Sequence, residues 1–385
     1  MEFVIARNDL VRELQTVTGV VEKRATLPIL ANLLLETQKD GIRLGTSDLE
    51  ITIRGTAKAT VVREGGVTLP AGKLHEIARS LPDAEVQFKL MDRNQVKIEC
   101  ERIRYRISGL PRDEFPKFPQ LDLSQGIKLP GSALRDMVDR VTFAITTEDP
   151  RYSLNGALFL LEKGRITLVA TDGHRLAYVS RETSLEPPGG EIKVVVPKKT
   201  MAELSKLMAD LGKEDEVSFG KVGNHMFFAV GSDHVLTSTI LEGNFPVYQK
   251  VMPEECEIEI VLPTDNLGDA VRRVSLLAAD RLGKAIRLGL TPGKLEIFSG
   301  ESDMGEAQET LAVDYDGPEM EIGFNSRYLL DFLAAVDTAS VHLDLGPKDP
   351  KGEAKKSKPG DKPGQFRPEP ARGLDYRYIV MPMHL

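Results

Sequence analysis

The chain has 385 residues, 28% charged and 41% hydrophobic, with a formal net charge of −8. At about 100–200 residues per domain this length predicts two to three domains with their own cores, and the ordinary apolar fraction excludes disorder over the whole chain. The acidic balance, taken alone, argues against a nucleic-acid partner.

In chain order, the first predicted helix opens at Asn8-Asp9-Leu10 and carries Leu10, Leu14, Val17 and Val21, an amphipathic stripe at spacings 0, +4, +7 and +11. A strand-like run at 42–48 follows, then a second helix after Pro70 with Leu74, Ile77 and Leu81. The set returns as Leu134, Val138, Val141 and Ile145, a run at 166–172, and Met201, Leu204 and Met208 after Pro197. It returns again as Leu267, Val271, Val274 and Ala278, a run at 295–301, and Leu329, Phe332 and Val336 after Asn325. Asn8, Ser132 and Asp265, each two positions ahead of a stripe, read as helix N-caps. Phe-Pro punctuation in Glu114-Phe115-Pro116 and Asn244-Phe245-Pro246 falls near two repeat ends. Six stripes in matching order predict three copies of one α+β domain, each with two helices and antiparallel strands, over 1–120, 127–250 and 255–385. The segment 346–373 is rich in Pro, Gly, Lys and Glu and is predicted to be a disordered insert before the last strand, locally basic by +4 up to residue 374. It reads either as a spacer without a role or as a contact to DNA or a partner.

Catalytic signatures are sparse. No G-x-G-x-x-G, Walker-type loop or G-x-S-x-G elbow occurs, and His75-Glu76 meets Arg79 where a zinc-protease helix has its second histidine. Cys100 and Cys256 read as reduced thiols, and the six unclustered histidines predict neither metal nor cofactor. Thr171-Asp172-Gly173-His174-Arg175 is the strongest catalytic candidate, readable as a hydrolase pair built on Asp172 and His174 or as a tight turn. No basic leader precedes the first apolar residues, and no apolar run approaches the roughly 20 residues that span a bilayer, so a cytoplasmic protein without a membrane partner is expected.

The predicted helices carry 13 basic and ten acidic residues, +3 in sum against −11 for the remainder. Such polarisation reads either as mixed solvated faces or as a shared basic surface that tracks phosphates without reading bases. The C-terminal run Tyr378-Ile379-Val380-Met381-Pro382-Met383-His384-Leu385 reads as a final edge strand or as an adaptable, Met-bearing groove for short apolar peptides.

Thr26-Leu27-Pro28-Ile29-Leu30-Ala31-Asn32, Leu154-Asn155-Gly156, Ala170-Thr171-Asp172-Gly173-His174-Arg175-Leu176, Glu242-Gly243-Asn244-Phe245-Pro246, Glu321-Ile322-Gly323-Phe324-Asn325 and Tyr378-Ile379-Val380-Met381-Pro382-Met383 together resemble the bacterial DNA polymerase III β subunits, the sliding clamps, nearly end to end. The resemblance implies a non-enzymatic processivity factor: a head-to-tail homodimeric ring, helices lining a hole for duplex DNA and sheets outside. The implied partners are double-stranded DNA without sequence preference, the polymerase III catalytic subunit, the clamp loader, and other polymerases and repair proteins bearing clamp-binding peptides. A non-ring DNA-binding scaffold is the alternative.

By the same resemblance Leu154, Thr171, Gly173, His174, Arg175, Leu176, Pro246, Lys250, Val251, Ile379, Met381, Pro382, Met383 and Leu385 would form the partner-peptide groove. Arg24, Lys73 and Lys198 match basic positions facing the hole, and Arg79 and Lys199 join them from the helix sets. Leu276 and Leu277 would meet Tyr105 and Ile107 of a second copy. His384 replaces a commoner arginine, Val247 a commoner acid and Ser153 an aromatic residue.

Overall fold

The computed structural model describes residues 1–22, 27–120, 122–123, 126–147, 152–187, 190–278, 284–300, 305–347, 359–371 and 373–383. Its helices are α1 (Arg7–Val17), α2 (Ala71–Ser80), α3 (Gly131–Thr142), α4 (Lys198–Leu207), α5 (Thr264–Val274) and α6 (Ser326–Ala334). Of the twenty-one predicted stripe residues, all but Val21 and Val336 are buried. At about 1.5–3 kcal/mol per large side chain removed from water, this burial is what holds helices of two to three turns in place.

The N-cap expectation is corrected: α1 and α5 begin at Arg7 and Thr264, so Asn8 and Asp265 lie inside the first turn, as Ser132 does in α3. The chain passes from a strand straight into each of these helices, and backbone carbonyls take the place of a cap. Arg7 N donates to Ala84 O (3.1 Å), Gly131 N to Asp215 O (2.8 Å), Lys198 N to Asn155 O (3.0 Å) and Thr264 N to Ala339 O (3.0 Å). At α6 a side chain does cap the helix, with Asn325 Oδ1 accepting from Arg327 N at 2.9 Å.

The chain folds as two compact units, Met1–Asp136 with Lys199–Ile240, and Met137–Lys198 with Leu241–Leu385. Unit 1 contains an eight-stranded antiparallel sheet in the order Ile127–Pro130, Glu216–Val222, His225–Val230, His234–Thr239, Ile51–Lys58, Gly41–Ser47, Asn32–Gln38, Gly66–Pro70. Its second sheet runs Thr60–Arg63, Glu2–Ala6, Glu85–Leu90, Gln95–Cys100, Ile103–Ser108. Unit 2 repeats the eight-stranded plan as Cys256–Pro263, Ser340–Pro347, Gly364–Pro368, Leu374–Val380, Arg175–Glu182, Arg165–Thr171, Gly156–Glu162, Ile192–Pro197. A four-stranded sheet completes it: Gln308–Ala312, Lys294–Ser299, Ala285–Thr291, Met320–Asn325. Each large sheet takes four strands from one repeat and four from the next, so the middle repeat is divided between the units.

Two sequence expectations change here. Leu374–Val380 is an interior strand, not an edge, paired on one side with Arg175–Glu182 and on the other with Gly364–Pro368. Nor is the insert at 346–373 disordered throughout: Gly346 and Pro347 end the strand Ser340–Pro347, and Gly364–Pro368 forms another. The reason is local chemistry that composition conceals. Phe366, 1% exposed, packs against Phe324 and Phe332 with centroids 5.8 Å away, while Arg367 and Gln365 reach the buried carboxylate of Asp344 at 2.5 and 2.8 Å. Residues 348–358 lie outside the described residues.

Candidate functional site

In unit 2 the turn at 171–175 is shaped by its own polar atoms. Asp172 Oδ1 accepts the amides of His174 and Arg175, both at 3.0 Å, and Thr171 Oγ1 donates to Arg175 O at 2.6 Å. Gly173 has φ +89°, a left-handed conformation that costs a side chain about 1–2 kcal/mol. His174 O accepts the amide of Met381 at 2.8 Å, which ties the chain after the last strand to the turn. Asp172 is thus committed to the turn, and its carboxylate engages the backbone of His174, which answers the hydrolase alternative with structure.

Beside this turn lies a cavity of about 140 Å³. Its lining includes nine residues of the predicted groove: Leu154, Thr171, Gly173, Arg175, Leu176, Pro246, Val251, Ile379 and Met381. It also includes Val247 and Tyr248, which the predicted groove set lacks; their signal was the apolar run directly after Phe245-Pro246. The floor is one hydrophobic cluster in which Leu158, Val169, Leu176, Tyr178, Tyr248 and Ile379 pack together. Burial, then Tyr178, pushes the Tyr248 phenol up. His174 and Lys250 are exposed and do not line the cavity, and Met383 is anchored by its amide to Gly323 O at 2.8 Å. Leu385 and His384 lie outside the described residues. An apolar pocket with backbone groups at its rim suits a short apolar segment.

The predicted phosphate contacts fall into two groups. Lys73 and Arg79 are exposed on α2, Lys73 pairing with Glu76 one turn on. Lys198 and Lys199 are engaged by protein instead. In unit 2, Lys198 Nζ donates to Ile145 O at 2.6 Å, and burial, helped by Arg175, draws its pKa down. In unit 1, Lys199 Nζ donates to Val20 O at 3.0 Å and pairs with Asp48. Arg24 lies outside the described residues. Other helix cations pair with acids three positions away: Arg12 with Asp9 at 2.9 Å, Lys206 with Glu203 at 2.7 Å and Arg272 with Asp269 at 2.5 Å.

Tyr105 and Ile107 sit half-buried on one face of Ile103–Ser108, the outer strand of the five-stranded sheet in unit 1. In unit 2, Leu277 is half-buried and Leu276 is 75% exposed, the most exposed large hydrophobic side chain among the described residues.

Three repeated two-helix α+β domains, with sheets continued across the repeat boundaries, define the sliding-clamp class of fold. The patterns that describe the DNA polymerase III beta subunit match in order: the N-terminal domain over residues 1–119, the central domain over 128–247 and the C-terminal domain over 249–350. The chain is 36% identical over 387 residues to the beta sliding clamp of Pseudomonas putida, with all of both chains covered. The crystal structure of the DNA polymerase III subunit beta from Pseudomonas aeruginosa superposes with a TM-score of 0.89 at 32% identity, again covering all of both chains. A sliding clamp from the same species bound to griselimycin superposes equally well, with a TM-score of 0.89 at 32% identity and complete coverage of both chains. The chain belongs to the DNA polymerase III beta subunit family: it is a sliding clamp, a non-catalytic accessory subunit that confers processivity on the polymerase.

Proposed function

We propose that two copies of this chain close head to tail into a ring around duplex DNA, and that the cavity beside the turn at 171–175 takes short apolar peptides from the polymerase, the clamp loader and other DNA-processing proteins. The observation that carries the ring is an open strand edge with an apolar face, Tyr105 and Ile107 on Ile103–Ser108, in a chain that also exposes Leu276. Such an edge invites pairing with another chain, and a contact between two different surfaces of like chains closes when the rotation allows it. Griselimycin, found on the Pseudomonas aeruginosa clamp, is proposed to bind this chain in the cavity as well. The ring holds its polymerase by topology, so weak phosphate contacts suffice while tethering raises the local concentration of the enzyme. No helix among the described residues is long and apolar enough to cross a membrane, and the proposed place of action is the cell interior, with the chromosome.

Light scattering tests the ring. The expected mass is twice the chain's 42.5 kDa, and Leu276→Asp, which places a charge in the proposed contact, is expected to release monomers. A wild-type mass of one chain would contradict the dimer.

A further inference from the structure

Behind the groove, Arg175 is held by a set of groups that do not line the cavity. Its side chain is 9% exposed, and its Nη1 donates to Asp331 Oδ2 on α6 at 2.6 Å. Nη2 donates to Phe143 O at 2.7 Å, Nε to Asp172 Oδ2 at 3.0 Å, and Nη1 also to the Tyr378 hydroxyl at 3.4 Å. The Tyr328 ring lies 4.3 Å from the guanidinium carbon. Burial works against the guanidinium charge, but Tyr378, Asp331 and Asp172 more than offset it and hold its pKa above the ordinary value.

Both groove walls depend on this one cation. Through Asp172 it fixes the turn whose amides and carbonyls shape the rim. Through Tyr378 it fixes the strand that delivers Ile379 and, directly after its last residue Val380, Met381. The Tyr378 hydroxyl in turn donates to Tyr328 O at 3.0 Å, so α6 holds the strand as well as the guanidinium. Lys198 contributes a second cation nearby, so that two cations face two carboxylates. Removing Asp331 leaves Arg175 and Lys198 with Asp172 alone, in a half-buried place where an uncompensated charge drives rearrangement.

The internal repeat provides a contrast. By the helix register, Glu203 of α4 occupies the position of Asp331, and by strand register Ile51 occupies that of Arg175. In unit 1 Glu203 pairs with Lys206 of its own helix, and among the described residues no guanidinium clamp of this kind is built on it.

We propose that Asp331 is a positioning residue for the peptide groove: it touches no groove ligand, and it sets affinity by locking Arg175 against the turn at 171–175 and the strand that carries Ile379. This rests on the reading of the cavity as the peptide site, with griselimycin as the probe.

The test is calorimetric titration of the full-length chain with griselimycin, at a temperature well below the melting point of every variant. Asp331→Asn is expected to weaken binding about tenfold, the size of a typical coupling between connected sites. Asp331→Glu, which keeps a carboxylate within reach, is expected to restore most of the loss. Tyr328→Leu, which removes the ring under the guanidinium and leaves every charge, is expected to weaken binding severalfold and serves as the test should Asp331→Asn not fold. A purely structural role for Asp331 lowers the melting temperature and leaves the affinity of the folded protein unchanged, and that result overturns the inference. Val251→Asp, at an exposed lining position, separates the two failures. If the wild type does not bind, or this variant binds as tightly as the wild type, the groove reading itself falls; if it abolishes binding while Asp331→Asn does not weaken it, only the positioning role falls.

Discussion

In unit 1 the turn at 47–51 joins Gly41–Ser47 to Ile51–Lys58; in unit 2 the turn at 171–175 joins Arg165–Thr171 to Arg175–Glu182. The backbones agree closely. Asp48 Oδ1 accepts from Glu50 N and Ile51 N at 3.0 and 2.7 Å, as Asp172 Oδ1 does from His174 N and Arg175 N, both at 3.0 Å. Thr239 N donates to Glu50 O at 2.8 Å, and Met381 N to His174 O at 2.8 Å. The side chains differ. Where unit 2 places Leu176, Ile379 and Met381, strand register gives unit 1 Thr52, Thr237 and Thr239. Gly173 at φ +89° corresponds to Leu49 at φ +79°. Tyr178 and Tyr248, 5.9 Å apart, correspond to Arg54 and Phe118 with a guanidinium carbon 5.8 Å from the ring, and Phe118 lies directly on Gly45. One backbone plan therefore serves two surfaces, and it becomes an apolar groove where the floor is apolar, the turn carries no side chain at its left-handed position, and a buried arginine locks it.

Breaking that lock is the largest change the comparison allows. Arg175→Leu brings unit 2 towards Ile51 of unit 1 but leaves Asp172 and Asp331 without the guanidinium that binds them directly, with only Lys198 nearby. It is expected to cost about 3–5 kcal/mol in urea unfolding and to abolish griselimycin binding. A loss under 1 kcal/mol would mean that the cluster contributes little.

Exchanging the left-handed residues comes next. Gly173→Leu is expected to cost about 1–2 kcal/mol and to obstruct the groove, whereas Leu49→Gly, which relieves the same strain on an exposed side chain, is expected to stabilise by up to about 1 kcal/mol. Chemical denaturation of the pair reads both signs, and like signs would break the equivalence of the two turns.

The smallest effect is a pH dependence. Burial raises the phenols of Tyr248, Tyr328 and Tyr378, all in unit 2, whereas Tyr105 is the only tyrosine of unit 1. With folded values above the ordinary 10.0, the unfolded chain loses these protons first, so stability present below pH 10 declines as pH rises beyond it. Tyr248→Phe, which copies Phe118, is expected to shrink the fall in urea midpoint between neutral and strongly alkaline buffer. An unchanged fall would remove Tyr248 from that account.

The helices and their threefold period were legible because one buried stripe per helix leaves a 3.6-residue signature, and Leu10, Leu134 and Leu267 open it each time. The sheets were not legible in the same way. Pairing His234–Thr239 with Ile51–Lys58, or Leu374–Val380 with Arg175–Glu182, joins strands about 180–200 residues apart that carry no mark of their partner. The strand Gly364–Pro368 escaped notice because Phe366 is its one large apolar side chain within a Pro- and Lys-rich run. Most lining residues of the groove were placed by resemblance, whereas Val247 and Tyr248 and the clamp on Arg175 needed coordinates. Asp331 and Tyr378 stand 156 and 203 residues from Arg175, and no spacing rule connects them.

The central claim is that this chain holds DNA by enclosing it. The direct measurement is retention on nicked circular DNA after loading, followed by linearisation with a restriction enzyme and gel filtration in moderate salt. Protein that remains with the circle and is lost from the linear product is the predicted result; protein that stays on the linear DNA would contradict it and point to a groove-binding scaffold.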